Sequence, residues 1–146
     1  MNDLALEDVY VYLLERTIRE IKRDFNRRLK AAFPGLTITS DQWVILKRIS
    51  ERESLNQREV AAVTGKDPAS ITRTLDLLAK KNWVERQDVP GDRRAYQVVL
   101  TAEGQELVEQ LIPLAQATRE AGLANVTAEE FESLKTVLNK IYSNVS

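Results

Sequence analysis

Three times along this chain a capping residue is answered three positions later by Gln or Glu, and each time the pair is bracketed by two apolar residues. Thr39 and Gln42 lie between Ile38 and Trp43, Asn56 and Glu59 between Leu55 and Val60, and Thr127 and Glu130 between Val126 and Phe131. In such a box the first side chain accepts a backbone N–H that the opening turn of a helix leaves unpaired, while the second reaches back to the N–H of the first residue. The flanking apolar pair packs across the turn and fixes the angle at which the chain enters. Three helix starts are therefore placed by local chemistry. The helix opened by Thr39 is expected to run to about Ser50, and the short one opened by Asn56 to stop at Gly65.

The remaining helices follow from periodicity. Leu14, Ile18, Ile21, Phe25 and Leu29 step by four, three, four and four, the spacing of one helical face. A first helix is expected from about Leu4 to Ala32, ending near Pro34-Gly35. Asp67-Pro68 opens another that runs to about Lys81, because Asp is a good cap and Pro fits a first turn that has no N–H partner to lose. Thr101 caps a long helix carrying Leu107, Leu111 and Leu114, with a bend expected at Pro113. Only Val84 to Asp88 and Ala95 to Leu100 read as strands; Tyr96, Val98 and Leu100 alternate with polar or smaller neighbours, and Pro90-Gly91 supplies the turn. The expected fold is mainly α with a small β-hairpin.

Composition removes most chemistry. Among 146 residues there is no His and no Cys. A Ser-His-Asp site, a His- or thiolate-held metal, a disulfide and a thiol redox switch are all excluded within this chain. The acidic pairs Glu51 with Glu53 and Glu129 with Glu130 are the remaining candidates for acid–base work. Glu129 and Glu130, however, stand in a helix first turn, where the dipole and the capping box account for them. No Gly-rich phosphate loop is found, so the chain reads as a non-enzyme with no cofactor. No apolar run approaches the roughly 18 residues of a membrane span, and the N-terminus lacks a signal-peptide pattern, which makes a cytoplasmic protein the expectation.

Net charge is −1, yet the charges are unevenly spread. Residues 56–97 hold eight Lys and Arg against six Asp and Glu, whereas residues 98–146 hold three against seven. The middle is therefore the part suited to a polyanion. There the helix from Asn56, the turn Thr64-Gly65-Lys66 and the helix from Pro68 form a helix-turn-helix, with glycine allowing the backbone of the turn. On the second helix Ile71, Leu75 and Leu78 share an inward face, Ala69 and Arg73 project oppositely, and Ser70 and Thr72 flank them. Small and hydroxylated residues allow close approach to a major groove, and Arg bonds guanine bidentately. A solvated helix face has the same composition, so this helix alone does not decide. The hairpin that follows carries Asp92, Arg93 and Arg94 near its tip. An Arg on a thin ribbon fits a narrow minor groove, with Asp92 holding a neighbouring guanidinium in place; a loop salt bridge is the plainer alternative.

Asp92-Arg93-Arg94 followed by Val98-Val99-Leu100-Thr101-Ala102-Glu103-Gly104 resembles the wing signature of MarR-type winged-helix regulators, an Asp-x-Arg, an apolar strand and a Leu-Thr-x-x-Gly helix start. The run from Asp67 to Leu78 is similar to the recognition helix of that family, and Ile38-Thr39 with Gln42-Trp43 to its entry into the second helix. The resemblance spans essentially the whole chain in element order. It implies one domain over 1–146, a winged helix-turn-helix over 37–100 that binds double-stranded DNA, and N- and C-terminal dimerisation helices over 1–33 and 101–146. Those end helices carry more apolar stripe than one small domain needs, with Val9, Tyr10, Tyr12 and Leu13 at one end and Leu134, Leu138, Ile141 and Tyr142 at the other; packing of the two ends on one another within a monomer is the plainer alternative.

Carried over by position, Ser70, Thr72 and Arg73 fall in the recognition helix and Asp92 and Arg94 in the wing. Arg93 takes the variable middle place, as a phosphate contact. Gln57, Arg58 and Lys66 lie near the helix-turn-helix entrance, where phosphate contact and simple solvation both account for them. The family further implies a small aromatic or anionic effector in a cleft between dimer and DNA-binding regions, for which Tyr12, Arg16 and Trp43 are the candidates; Trp43 also suits a core position. The expected function is a ligand-responsive repressor that binds a pseudo-palindromic operator as a homodimer. The alternative is a helical interaction module without specific DNA binding, which has no need of an Arg-bearing wing.

Overall fold

A computed structural model describes residues 5–146, apart from the side chain of Arg94. The element order is α1 (Tyr10–Ala32), α2 (Ser40–Arg52), β1 (Ser54–Asn56), α3 (Gln57–Thr64), α4 (Pro68–Lys80), β2 (Val84–Val89), β3 (Asp92–Leu100), α5 (Ala102–Gly122) and α6 (Ala128–Val145). All three capping boxes form as the spacing requires, with Thr39, Asn56 and Thr127 each accepting from the residue three ahead and receiving its side chain in return. The two single caps are also made: Asp67 accepts from the Ser70 N–H, and Thr101 from that of Gly104.

One boundary differs from expectation. The first helix does not run from Leu4, which lies outside the described residues. A single 3-10 turn over Leu6–Asp8 comes first, and the α-helix opens only after the extended Val9. Val9, at φ −87 and ψ 101, separates the 3-10 turn from the helix. At the other end of the chain α5 continues through Pro113 to Gly122. The proline removes one backbone donor there, but the buried Leu107, Val108, Leu111 and Leu114 hold the helix on both sides of it.

The sheet has three antiparallel strands in the order β1-β3-β2, one more than the sequence announces. β1 is three residues long, too short for alternation to be visible; Leu55 pairs with Val98 and both are fully buried. Glu53 makes the strand possible by turning the chain at φ 68 directly after α2. β2 and β3 form the hairpin, with a register irregularity at Asp88/Val89 and Gly91 at φ 85 in the turn.

One apolar core joins these pieces. It runs from Phe25 and Leu29 of α1 through Trp43, Ile45, Leu46 and Ile49 of α2 and Ile71, Leu75 and Leu78 of α4 to Val84, Val98 and the α5 leucines. Among the described residues no buried side-chain polar atom lacks a hydrogen-bond partner. By contrast α6 buries no residue at all, and Tyr10, Val11, Ile18 and Ile21 of α1 are exposed along with Leu134, Val137, Leu138 and Tyr142 of α6.

Candidate nucleic-acid interface

Helices α3 and α4 are joined by Gly65-Lys66-Asp67. Gly65 sits at φ 65 and returns its N–H to Ala61, closing α3 in the left-handed conformation that glycine adopts without strain. Asp67 then starts α4. Both of its carboxylate oxygens are engaged: Oδ1 accepts the Ser70 backbone N–H at 2.9 Å, and Oδ2 accepts the Ser70 hydroxyl at 2.7 Å. These bonds from the Ser70 backbone and hydroxyl hold the Asp67 carboxyl below the ordinary carboxylate range.

Ser70 passes the arrangement on. Its Oγ accepts from Arg73 Nη2 at 3.2 Å, so Asp67, Ser70 and Arg73 form a hydrogen-bonded line along one side of α4. Ser70 is half-buried and its hydroxyl proton is committed to Asp67, which gives it the job of orienting Arg73. Thr72 is exposed and donates its hydroxyl to the Pro68 carbonyl at 3.0 Å, leaving oxygen lone pairs and a methyl group outward. Arg73 is exposed between them, opposite the buried Ile71, Leu75 and Leu78. The structure thus brings Ser70, Thr72 and Arg73 together on the solvent face.

The entrance residues are less uniform. Gln57 is half-buried at the first position of α3, and Arg58 beside it is exposed. Lys66 is not an isolated cation: its Nζ lies 3.2 Å from Asp41 Oδ2, and the other oxygen of Asp41 lies 3.7 Å from Lys22 of α1. Asp41 thereby ties the helix-turn-helix turn to α1 through α2, a link that sequence spacing does not reveal. Both pairs are half exposed, and at that exposure they are worth less than about 1 kcal/mol each.

At the wing, Asp92 and Arg93 are exposed at the start of β3, just past the Pro90-Gly91 turn. Arg94 follows in the same strand; its side chain lies outside the described residues. A second residue, Arg86 of β2, was not among the expected site residues. Its Nη2 donates to Asp76 Oδ1 of α4 at 2.7 Å, and its guanidinium carbon lies 5.3 Å from the Tyr96 ring centre. Strand alternation carries the signal: Arg86 shares a face with the buried Val84, where an apolar residue is the default.

The effector candidates do not form one cluster. Trp43 is a member of the core, 9% exposed, while Arg16 is exposed on α1 with its guanidinium 5.6 Å from the ring of Tyr12. The described residues contain no group of three or more metal-ligating side chains, and no helix among them is long and apolar enough to cross a membrane.

Comparison with known proteins places this geometry. The MarR family model matches residues 38–96, from the entry of α2 to the middle of β3. A mutant of MarR from E. coli complexed with operator DNA is 30% identical, with 96% of this chain and 99% of that one covered and a TM-score of 0.81. The wild-type apo form of E. coli MarR is 29% identical over 96% and 98% of the two chains, with a TM-score of 0.70. BpsR from Bordetella bronchiseptica, whose DNA binding is regulated by 6-hydroxynicotinic acid, shares the fold at 21% identity, 97% and 98% coverage and a TM-score of 0.83.

Proposed function

The chain belongs to the MarR family and is a DNA-binding transcriptional regulator, and from that premise we propose that it binds a pseudo-palindromic operator in double-stranded DNA as a homodimer and acts as a repressor released by a small aromatic anion. The observation that carries the DNA reading is the line Asp67–Ser70–Arg73, which holds one guanidinium outward from the exposed face of α4. Arg73 enters the major groove with Thr72 beside it, reading a base edge by paired hydrogen bonds. Arg94 enters the flanking minor groove, and Arg93, Gln57 and Lys66 meet phosphates.

The homodimer reading rests on α6. An 18-residue helix with no buried position and with Leu134, Val137, Leu138 and Tyr142 exposed leaves an apolar face that its own chain does not cover. A second copy supplies the cover, α1 and α6 of each copy covering those of the other over residues 1–33 and 101–146. Two copies of the winged region at 37–100 then read half-sites about one helical turn apart. For the effector, the Tyr12 ring and the Arg16 guanidinium offer stacking and a cation to an aromatic carboxylate, while Trp43 belongs to the core. That 6-hydroxynicotinic acid regulates BpsR, which has the same fold, supports this ligand class.

The test is fluorescence-anisotropy titration against DNA upstream of the protein's own gene, at two salt concentrations with unrelated competitor DNA, backed by selection from a random duplex pool. Competitor-resistant binding of one dimer per site is the expected result, with release by members of an aromatic-acid panel. Binding no tighter than to random DNA, together with an empty selection, overturns the reading in favour of an interaction module.

A further inference from the structure

The wing is a two-stranded ribbon that leaves the core at Val84 and Val98, and a ribbon of that kind swings unless something holds it. The structure supplies a tie. On β2 the inner face carries Val84, then Arg86; on β3 it carries Val98, then Tyr96, since Val98 is the cross-strand partner of Arg86. Val84 and Val98 are the last buried residues of their strands on that face, and Arg86 and Tyr96 are the next inner-face residues of those strands toward the tip. Arg86 lies diagonally across from Tyr96, with its guanidinium 5.3 Å from the ring centre, and extends to α4, where Nη2 donates to Asp76 Oδ1 at 2.7 Å. Partial burial works against the charge on Arg86, but the bond and attraction from Asp76 outweigh it and leave the guanidinium pKa raised.

Asp76 is an odd residue for its place. It lies one turn after Arg73 on the same side of α4, the side that meets DNA under the reading above. A carboxylate there repels phosphate, so in the complex it acts against binding unless it does something else.

We propose that Asp76, Arg86 and Tyr96 form a clasp that fixes the angle between the recognition helix and the wing, and that Asp76 and Arg86 are positioning residues for the minor-groove contact. The proposal rests on the DNA-binding reading and adds to it a role for two residues that need touch no nucleotide. With the clasp closed, seating α4 in the major groove delivers the wing tip to the adjacent minor groove without a further search over angles. With it open, α4 still docks but the wing contact carries the cost of ordering the ribbon.

Electrostatics and positioning give opposite signs, which makes the test sharp. The probe is a duplex selected from a random pool with the full-length protein. If Asp76 is merely an anion near DNA, Asp76→Asn tightens binding; if it closes the clasp, Asp76→Asn weakens binding by about fivefold, and Asp76→Glu restores most of the loss. In an Arg94→Ala background the same substitution then has almost no further effect, because the contact it positions is already gone. Hydroxyl-radical protection of the outer minor grooves is expected to fade in Asp76→Asn and Arg86→Gln while guanine N7 protection in the major groove persists. Tighter or unchanged binding by Asp76→Asn, or an equal loss in the presence and absence of Arg94, overturns the clasp alone. If Arg94→Ala itself leaves affinity unchanged, the wing contact falls and the clasp falls with it.

Discussion

Gly104, in the first turn of α5, presses against the backbone of Trp83: a Cβ built on it stands 2.9 Å from the Trp83 carbonyl carbon and closer still to the oxygen. That carbonyl accepts the Thr101 N–H at 3.1 Å, and the Thr101 hydroxyl donates to the Asn82 carbonyl at 2.5 Å while accepting from Gly104. Asn82 and Trp83 in turn close α4. Asn82 takes φ 59, and the N–H groups of Asn82 and Trp83 return to Ala79 and Leu78. The end of the recognition helix and the start of α5 are therefore one joint, with backbone on both sides and no flexible side chain to move aside. Gly104→Ala is expected to cost about 3 kcal/mol of stability, since backbone must shift to admit the methyl group. A urea melt reads this as a lowered midpoint at unchanged slope. Near-wild-type stability would show that the joint can open.

Asp67 gives the molecule an acid-sensitive element at the DNA-binding end. The bonds from the Ser70 N–H and hydroxyl lower its folded pKa below the unfolded value, so the bound carboxylate favours the folded state above the unfolded pKa. That contribution is lost as pH falls through the folded pKa, below about 4. Asp67→Asn keeps the cap but cannot titrate, so its melting temperature is expected to depend less on pH between about 5 and 2 than that of the parent. Parallel curves for the two proteins in this range would show that the cap makes no ionic contribution.

How much of this was legible beforehand depended on the reach of each interaction. The boxes at Thr39, Asn56 and Thr127 and the cap at Asp67 lie within three residues of their partners, so the sequence displays both members of each pair. The short strand β1 was missed because three residues show no period; only its pairing with Gln97, Val98 and Val99 makes it a strand. Likewise Asp41 meets Lys66, and Asp76 meets Arg86, across 25 and 10 positions with no spacing rule to announce them. Ser70, Thr72 and Arg73 were found as a group by helical periodicity. That Ser70 holds Arg73, with its own proton committed to Asp67, depends on side-chain rotamers that spacing does not display.

Arg73 and Arg94 are expected to fail differently. Arg73→Ala removes a contact to a base edge, so the loss falls on one position in each half-site, at about 1–3 kcal/mol for a bidentate pair. Ser70→Ala leaves the guanidinium in place but untethered, and is expected to weaken binding less while blurring preference at the same position. Arg94→Ala weakens all sites of similar groove width together and lowers the salt slope by about one. Binding titrations on a set of single-base operator variants at several salt concentrations separate the three. Uniform losses for Arg73→Ala would reassign it to a phosphate.

The exposed face of α6 makes the strongest claim on assembly, because it can be tested without DNA. Leu138 is 37% exposed, Leu134 45% and Tyr142 71%, and they recur at four-residue spacing along one side of a helix that buries nothing. In a monomer, placing a charge at Leu138 is nearly neutral, since the side chain already faces water. In a dimer sealed by this face, each copy of Leu138→Glu buries an unpaired carboxylate, and two meet across a two-fold axis or face apolar neighbours without compensation. Sedimentation equilibrium is therefore expected to show a dimer for the parent and a concentration-dependent or complete shift to monomer for Leu138→Glu. Because the core lies elsewhere, in α1 to α5, the helical circular-dichroism signal of the winged region should survive. Operator affinity should drop steeply even so, since a monomer gains only one half-site where a dimer gains two. A variant that stays dimeric and binds DNA normally would place the partner surface on another face of the molecule.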